Sequence, residues 1–482
     1  MGKYRCSICG YKFKNIDMVR SCPLCKGDKS LVEVADEFTK RETEEIIKTD
    51  VNDKRAVVID KMNPSIERVE GCINCGMCMR TCMSRENMPG NEKCLVCVGC
   101  GQCIITCPKR VLEPKNDIYK FLEAKKAGKI CIATIAPASR VTIGSACGYE
   151  EGTFLEQELV GLLKYLGFDY VYDVGFGADL TIVEESCELM KRISDDGVLP
   201  MISSCCSSWV RYAEIFYPNL LDHLSTCKSP IEMLSSTIRE YLPRIKNIKA
   251  DDIYIVSITP CTAKKWEIVR LSENGTDAII TVCELVNYIE KKGIDLRKIK
   301  KENFDGFFGK SSGAGLIFGN TGGVTEALLR QILQFEGDLS EKIEFSEVRG
   351  YNSLKEAKIN INSREIRVAV IDEMSNALPI LDMIENGDCQ YDFIEIMNCR
   401  GGCIGGGGNL RYKMPDEELV KLKRINSLYK KDKGMEIRTS FQNPFIKEIY
   451  NKLYGEPLSD RAYEILHTSY RDRSFENIGK GN

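Results

Sequence analysis

Phe393-Ile394-Glu395-Ile396-Met397-Asn398-Cys399-Arg400-Gly401-Gly402-Cys403, followed by Ile404-Gly405-Gly406-Gly407, decides how this chain is read. Residues 393–397 are mostly apolar and predict a short buried strand, and the Asn-Cys-Arg-Gly-Gly-Cys beyond them reads as a loop. In an open parallel sheet, ligands gather just past the carboxyl ends of the strands. Two thiols at that position therefore mark a candidate ligand edge. The arrangement recurs twice upstream. A predicted strand over 200–203 runs into Ser203-Ser204-Cys205-Cys206-Ser207-Ser208-Trp209, and one over 253–258 runs into Thr259-Pro260-Cys261-Thr262-Ala263-Lys264-Lys265-Trp266-Glu267. Three strands could thus converge their thiols on one crevice.

Outward from these segments, residues 127–470 alternate β-branched runs with amphipathic stretches, the pattern of an α/β unit with parallel sheets. Strands are expected over 130–136, 170–174 and 366–371. Helices are expected over 154–166, with Leu155, Leu159, Leu162, Leu163 and Leu166 on one face, and over 180–193. After Asn443-Pro444, residues 445–453 read as a helix in a carboxyl-terminal cap, and 471–482 as a tail. The chain has no internal repeat of 20–50 residues and no low-complexity tract.

Composition narrows the class. With 482 residues, 43% of them apolar, several domains are expected. Lys plus Arg (67) nearly balances Asp plus Glu (70) for a formal charge of -3, so nothing global favours nucleic acid or a membrane surface. The first residues resemble no export signal and no run of 18 apolar residues follows, which reads as a cytoplasmic protein. Cysteine is the outlying residue type, at 24, and thirteen fall before position 110. Gaps of two and three residues between them are those of metal ligands rather than of a secreted disulfide framework.

Residues 1–35 carry Cys6/Cys9 and Cys22/Cys25, two tight pairs able to close a tetrahedral site. They resemble the short rubredoxin-like domain of rubrerythrins, a β-knuckle unit, which implies one iron; a structural zinc ribbon is the alternative. Residues 36–66 form a charged connector, with a possible peripheral strand over 56–60. From 67 to 126 come Cys72-x2-Cys75-x2-Cys78-x3-Cys82 and Cys97-x2-Cys100-x2-Cys103-x3-Cys107-Pro108. This doubled pattern resembles bacterial two-cluster ferredoxins, small α+β units in which the fourth cysteine of each run crosses to the other 4Fe-4S cube. The expected groups are Cys72, Cys75, Cys78 and Cys107 on one cube and Cys82, Cys97, Cys100 and Cys103 on the other. Cys94 offers a second register, which Cys107-Pro108 disfavours.

The three cysteine segments that end strands resemble the H-cluster motifs of FeFe-hydrogenases (iron-only hydrogenases), and the resemblance covers roughly residues 67–470. It implies an oxygen-sensitive enzyme of anaerobic metabolism that interconverts H2 with protons and electrons. Cys206, Cys261, Cys399 and Cys403 would hold a 4Fe-4S cube, and Cys403 would bridge it to a diiron subcluster with CO, cyanide and azadithiolate ligands. Lys264 matches the family's cyanide donor. Ala136, Pro137 and Ala138 match the loop lining the cluster, and Met397 and Phe318 match apolar pocket residues; simple core packing is the bland reading of the last two. Implied partners are ferredoxin or a similar soluble carrier and the hydrogenase maturation proteins.

The resemblance also implies a proton relay in the order Cys205, water, Glu185, Ser225, Glu188, solvent. Glu185 and Glu188 stand at i and i+3 on a predicted helix, hence on one face, a spacing that is usually only a solvated face. Ser207, Thr259, Asn409 and Ile231 depart from the family pattern, which points to a divergent branch with an altered pocket. Competing readings are a hydrogen sensor with slow turnover and a non-catalytic iron-sulfur assembly relative. Cys94, Cys131, Cys147, Cys187, Cys227, Cys283 and Cys389 have no role in this scheme and default to small buried hydrophobes.

Overall fold

The computed structural model describes residues 3–6, 12–14, 32–34, 57, 59, 61–85, 96–271, 275–335, 343–350, 352–361, 364–412 and 417–476. Strands β1 (Lys3–Cys6), β2 (Lys12–Lys14) and β3 (Val32–Val34) pair antiparallel in the order β2-β1-β3. Cys9, Cys22, Cys25 and Cys94 lie outside the described residues, as does the side chain of Cys6; of the possible strand over 56–60 only Val57 and Ile59 are described, and neither is in a strand.

Strands β4 (Ile66–Arg68) and β5 (Leu112–Pro114) pair antiparallel and bracket the doubled cysteine run. The cysteine-rich unit begins slightly before residue 67 among the described residues. Asn63 is buried, and its side chain accepts from the backbone of Ser65 and Ile66 at 2.9 and 3.0 Å.

The remaining strands are β6 (Ile130–Ile135), β7 (Tyr170–Asp173), β8 (Met201–Ile202), β9 (Ile253–Thr259), β10 (Ala278–Thr281), β11 (Leu354–Ile361), β12 (Arg364–Asp372) and β13 (Phe393–Met397). They build two four-stranded sheets, β10-β9-β6-β7 and β11-β12-β13-β8. The first is wholly parallel. In the second, β8, β13 and β12 run parallel while β11 joins β12 as an antiparallel edge. Alternating exposed and buried residues on β11 fit an edge strand with one wet face.

Between the sheets lies helix α1 (Val174–Ser194), almost wholly buried. Val174, Phe176, Leu180 and Val183 join the core of the first sheet, and Ala178, Ile182 and Leu189 join that of the second. The sequence places its start at 180, whereas the helix begins six residues earlier, capped by Asp173, which accepts from Gly175 N at 2.7 Å. Gly175 and Gly177 lower the helical signal there for a packing reason: a Cβ on Gly177 would lie 2.0 Å from the Pro230 carbonyl oxygen.

Helices α2 (Ser207–Phe216), α3 (Pro230–Lys246) and α4 (Lys264–Leu271) follow motif segments or pack on α1. Residues 444–454 form the helix Pro444–Ile449 and a π turn, Tyr450–Tyr454. Their Ile446, Ile449, Tyr450 and Tyr454 enter the first core, as a cap would. Residues 471–476 dock on α2 through Arg473, whose backbone N donates to the Glu214 carbonyl at 2.7 Å and whose Nε lies 3.2 Å from the Glu214 carboxylate. No helix among the described residues is long and apolar enough to cross a membrane.

Helix α5 (Gly323–Phe335) is tied to α6 (Glu417–Lys433) by a buried ionic network. Arg330 meets both oxygens of Asp432 at 2.9 Å and Glu326 at 2.6 Å, and Arg438 reaches Asp432 at 2.6 Å. Burial works against the Asp432 charge, but these guanidinium groups hold its carboxyl below the usual range. Removing one partner strands the others, so Arg330→Met should destabilise the protein by about 3–5 kcal/mol, read as a lowered thermal midpoint.

Candidate active site

The two sheets deliver their strand ends to one cavity. Ala136, Pro137 and Ala138 come from the end of β6 and Cys261 from the end of β9; Cys205 and Cys206 follow β8, and Cys399 and Cys403 follow β13. All of these, with Lys264, Phe318 and Met397, line a pocket of about 790 Å³. The lining is mainly apolar, with Val174, Ala178, Pro230 and Ile231 among its other members. Lys264 is the only Lys, Arg, Asp or Glu among them. Ser207, Thr259 and Ile231, the departures noted in the sequence, face the same space.

Cys261, Cys399 and Cys403 disfavour thiolate without a cation. Burial pushes the Cys261 thiol up to about 11 although Lys264 acts the other way, and burial followed by repulsion from neighbouring cysteines raises those of Cys399 and Cys403 well above the ordinary value. A crowded set of soft ligands in a dry cavity suits an iron-sulfur cube. The glycines around Cys403 let neighbouring backbone approach closely. Gly402 adopts φ +77°, and a Cβ there would lie 2.6 Å from Thr321 N; one on Gly407 would lie 2.4 Å from the Cys100 carbonyl oxygen. Gly402 and Gly406 also line the cavity.

Lys264 opens α4. Burial works against its charge, but Glu267 at 2.6 Å more than offsets this and raises its pKa, so it remains a cation. It also donates to the Cys205 carbonyl at 3.2 Å. Glu267 in turn accepts from Ser229 Oγ at 3.1 Å.

Cys205 is flanked by Ser203, whose Oγ donates to its Sγ at 3.5 Å. Behind it sits Glu185, fully buried, with neither carboxyl oxygen bonded to a partner. Burial first and Glu188 second push its pKa up to about 8, while the hydroxyls of Ser225 and Ser203 facing it act the other way. Below about pH 8 it is neutral and carries a proton. Ser225 Oγ donates to Glu188 Oε2 at 3.1 Å, and Glu188 Oε1 accepts from the partly exposed Arg192 at 2.7 Å. The four relay residues expected from the sequence, Cys205, Glu185, Ser225 and Glu188, thus lie in one file from the cavity to Arg192.

The ferredoxin-type cysteines fall into two hollows. One is lined by Cys72, Cys75, Cys78 and Cys107, with Cys72 and Cys75 exposed. The other is lined by Cys82, Cys97, Cys100 and Cys103. The second adjoins the cavity: Gln102 Nε2 donates to Cys399 Sγ at 3.2 Å and to the Gly405 carbonyl at 2.9 Å. Thr262 Oγ1 donates to the Gly99 carbonyl at 2.6 Å, and Arg411 to the Cys107 carbonyl at 2.6 Å.

Four side chains escape detection from the sequence: Ser203, Gln102, Glu267 and Arg192. Glu267 is three residues after Lys264 and Arg192 four after Glu188, so helix spacing carried a signal for both. Nothing local marks Gln102 or Ser203.

Comparison with known proteins follows the same lines. The family described as "Iron only hydrogenase large subunit, C-terminal domain" matches residues 129–407, and that described as "Iron hydrogenase small subunit" matches 417–473. The chain is 39% identical over 351 residues to iron hydrogenase 1 of Clostridium pasteurianum, covering 71% of this chain and 61% of that protein, less than two thirds of its length. It is 27% identical over 391 residues to protein NAR1 of Arabidopsis thaliana, covering 75% of this chain and 82% of that protein. A solved structure of an FeFe-hydrogenase HydA1 variant from Chlamydomonas reinhardtii matches with a TM-score of 0.66 at 33% identity, over 74% of this chain and 99% of that one.

Proposed function

This chain belongs to the iron-only hydrogenase family, and on that premise we propose that it catalyses H2 ⇌ 2 H⁺ + 2 electrons. Cys206, Cys261, Cys399 and Cys403 hold a 4Fe-4S cube, and Cys403 attaches the diiron unit with its CO, cyanide and azadithiolate ligands. The convergence of these four thiols with Lys264 and the free Cys205 on one largely apolar cavity carries the reading. When bound, that group supplies the reversible cleavage of H2 and the exchange of electrons.

The protein's own part is positioning, proton transfer and exclusion of water. Lys264, kept cationic by Glu267, offers N–H donors to the anionic ligands of the cluster. Cys205 Sγ passes protons by way of a water, with the Ser203 hydroxyl beside it, to Glu185, Ser225 and Glu188, and from there to solvent next to Arg192. Cys82, Cys97, Cys100 and Cys103 in the second hollow, and Cys72, Cys75, Cys78 and Cys107 in the first, would each hold a 4Fe-4S cube, which would supply electron transfer between the cavity and the surface. Exposed Cys72 and Cys75 mark where a ferredoxin-like soluble carrier docks. The amino-terminal four-cysteine site holds one iron, with zinc the alternative.

Infrared spectra of the maturated protein test the cluster, and H2 evolution from reduced viologen tests turnover. Carbonyl and cyanide bands with turnover support the enzyme; bands with slow turnover support a sensor. Absence of the bands favours an assembly role like that of NAR1-type relatives. Hydrogen bonds to cluster sulfur raise reduction potentials, so Gln102→Leu should lower that of the catalytic cube and slow electron delivery from ferredoxin. Redox titration followed by electron paramagnetic resonance measures the shift.

A further inference from the structure

Three ligand types of different origin meet beside the outer end of the proton file. Glu188 comes from α1, Cys227 from the segment leading into α3, and His467 from the chain just past the helix Asp460–Leu466. Their ligand atoms all lie within 4.8 Å of one another, and all three residues are buried. Cys227 and His467 face each other across an antiparallel bridge, with Lys228 N donating to the Leu466 carbonyl at 2.9 Å and Thr468 N to the Thr226 carbonyl at 2.8 Å. This pins the sulfur and the ring on backbone.

We propose that Glu188, Cys227 and His467 form a binding site for a borderline divalent cation of the zinc type. A thiolate, an imidazole and a carboxylate are the donor types of such ions, whereas magnesium and calcium call for oxygen alone. His467 Nε2 lies 3.1 Å from the Glu184 carboxylate, the outer hydrogen bond that commonly orients a metal-binding histidine, and Nδ1, the nitrogen left for an ion, meets Thr226 Oγ1 at 2.7 Å, a contact the ion would displace; the Tyr463 ring packs on the imidazole at 4.2 Å. Glu188 Oε1 meets Arg192 at 2.7 Å, while Oε2 accepts from Ser225 Oγ and Thr226 N at 3.1 Å and faces Cys227 Sγ at 3.7 Å.

Charge favours a cation here. Glu184, Glu185 and Glu188 surround the Cys227 thiol, and burial followed by these carboxylates raises its pKa well above the ordinary value. Arg192 is the one Lys or Arg in ion-pair range of the three among the described residues. On binding, the Cys227 S–H bond breaks, a sulfur–metal bond forms and the proton leaves to buffer; no electrons move. Occupation would also withdraw Glu188 from proton transfer, a consequence that rests on the relay proposed above, while the binding itself does not.

The test adds one equivalent of zinc chloride to the anaerobic holoenzyme, beside Cys227→Ala and His467→Gln variants whose carbonyl and cyanide bands match the parent. Zinc retained after desalting and the zinc-edge absorption difference before and after addition are recorded. The site predicts one zinc fewer per chain in either variant, and for the added ion one sulfur with nitrogen and oxygen neighbours. Equal retention in parent and variants, or an all-sulfur environment, overturns it. Should a variant fail to assemble, the absorption difference of the parent alone decides. With the site occupied, H2 evolution should slow at least tenfold in the parent and not in the variants. Site-specific retention with undiminished turnover would support the site and instead refute the relay role of Glu188.

Discussion

Cys403→Ala is expected to reduce H2 turnover to background and to remove the carbonyl and cyanide infrared bands, while the ferredoxin-type clusters keep their iron. The reason is topological. On the proposed reading, Cys206, Cys261 and Cys399 could still grip a cube at three corners, but the diiron unit would be tethered to the protein through the Cys403 sulfur alone, since Lys264 would supply a donor to its ligands but no covalent bond. Infrared spectra and iron content of the purified variant check the result; persistence of the bands would show that the diiron unit is held elsewhere and would remove the basis of the assigned chemistry.

Cys205→Ala has the second largest effect, with the opposite spectroscopic outcome. The cluster assembles, because Cys205 is not among its four ligands, but turnover falls by about 10²- to 10⁴-fold, the usual contribution of a positioned proton-transfer group. The Ser203 hydroxyl cannot replace the thiol, since it reaches the cavity only through Cys205 Sγ. In the parent protein, proton delivery should fade as the pH rises through about 8. Glu185 carries its proton below that value and loses it above, because burial and the neighbouring Glu188 raise its pKa. A pH profile of H2 evolution with retained infrared bands measures both effects; near-normal turnover in Cys205→Ala would refute the relay.

Much of the site was legible before any coordinates. Strand β13 was expected at its observed bounds, and the thiols past β8, β9 and β13 could be placed at one crevice because strand ends in parallel sheets are where ligands gather, while the other lining residues were named through the family resemblance. The two groups of ferredoxin-type cysteines were likewise readable from their spacing, and they line separate hollows. What escaped the sequence depends on contacts between distant segments. Gly175 and Gly177 look like helix breakers until Ser311 is seen against the first and α3 against the second. Gln102 is an ordinary polar residue until Cys399, 297 positions away, accepts its hydrogen bond. The antiparallel edge strand β11 went unread because its exposed, lysine-bearing face dilutes the apolar signal on which strand detection relies.

Cys261 rises from one sheet, whereas Cys206, Cys399 and Cys403 rise from the other. An inorganic cube gripping all four would therefore be a rivet through both halves of the fold. Iron insertion would then be coupled to the final closure of the two layers, and the protein without its cube would have its halves joined by packing across α1 alone.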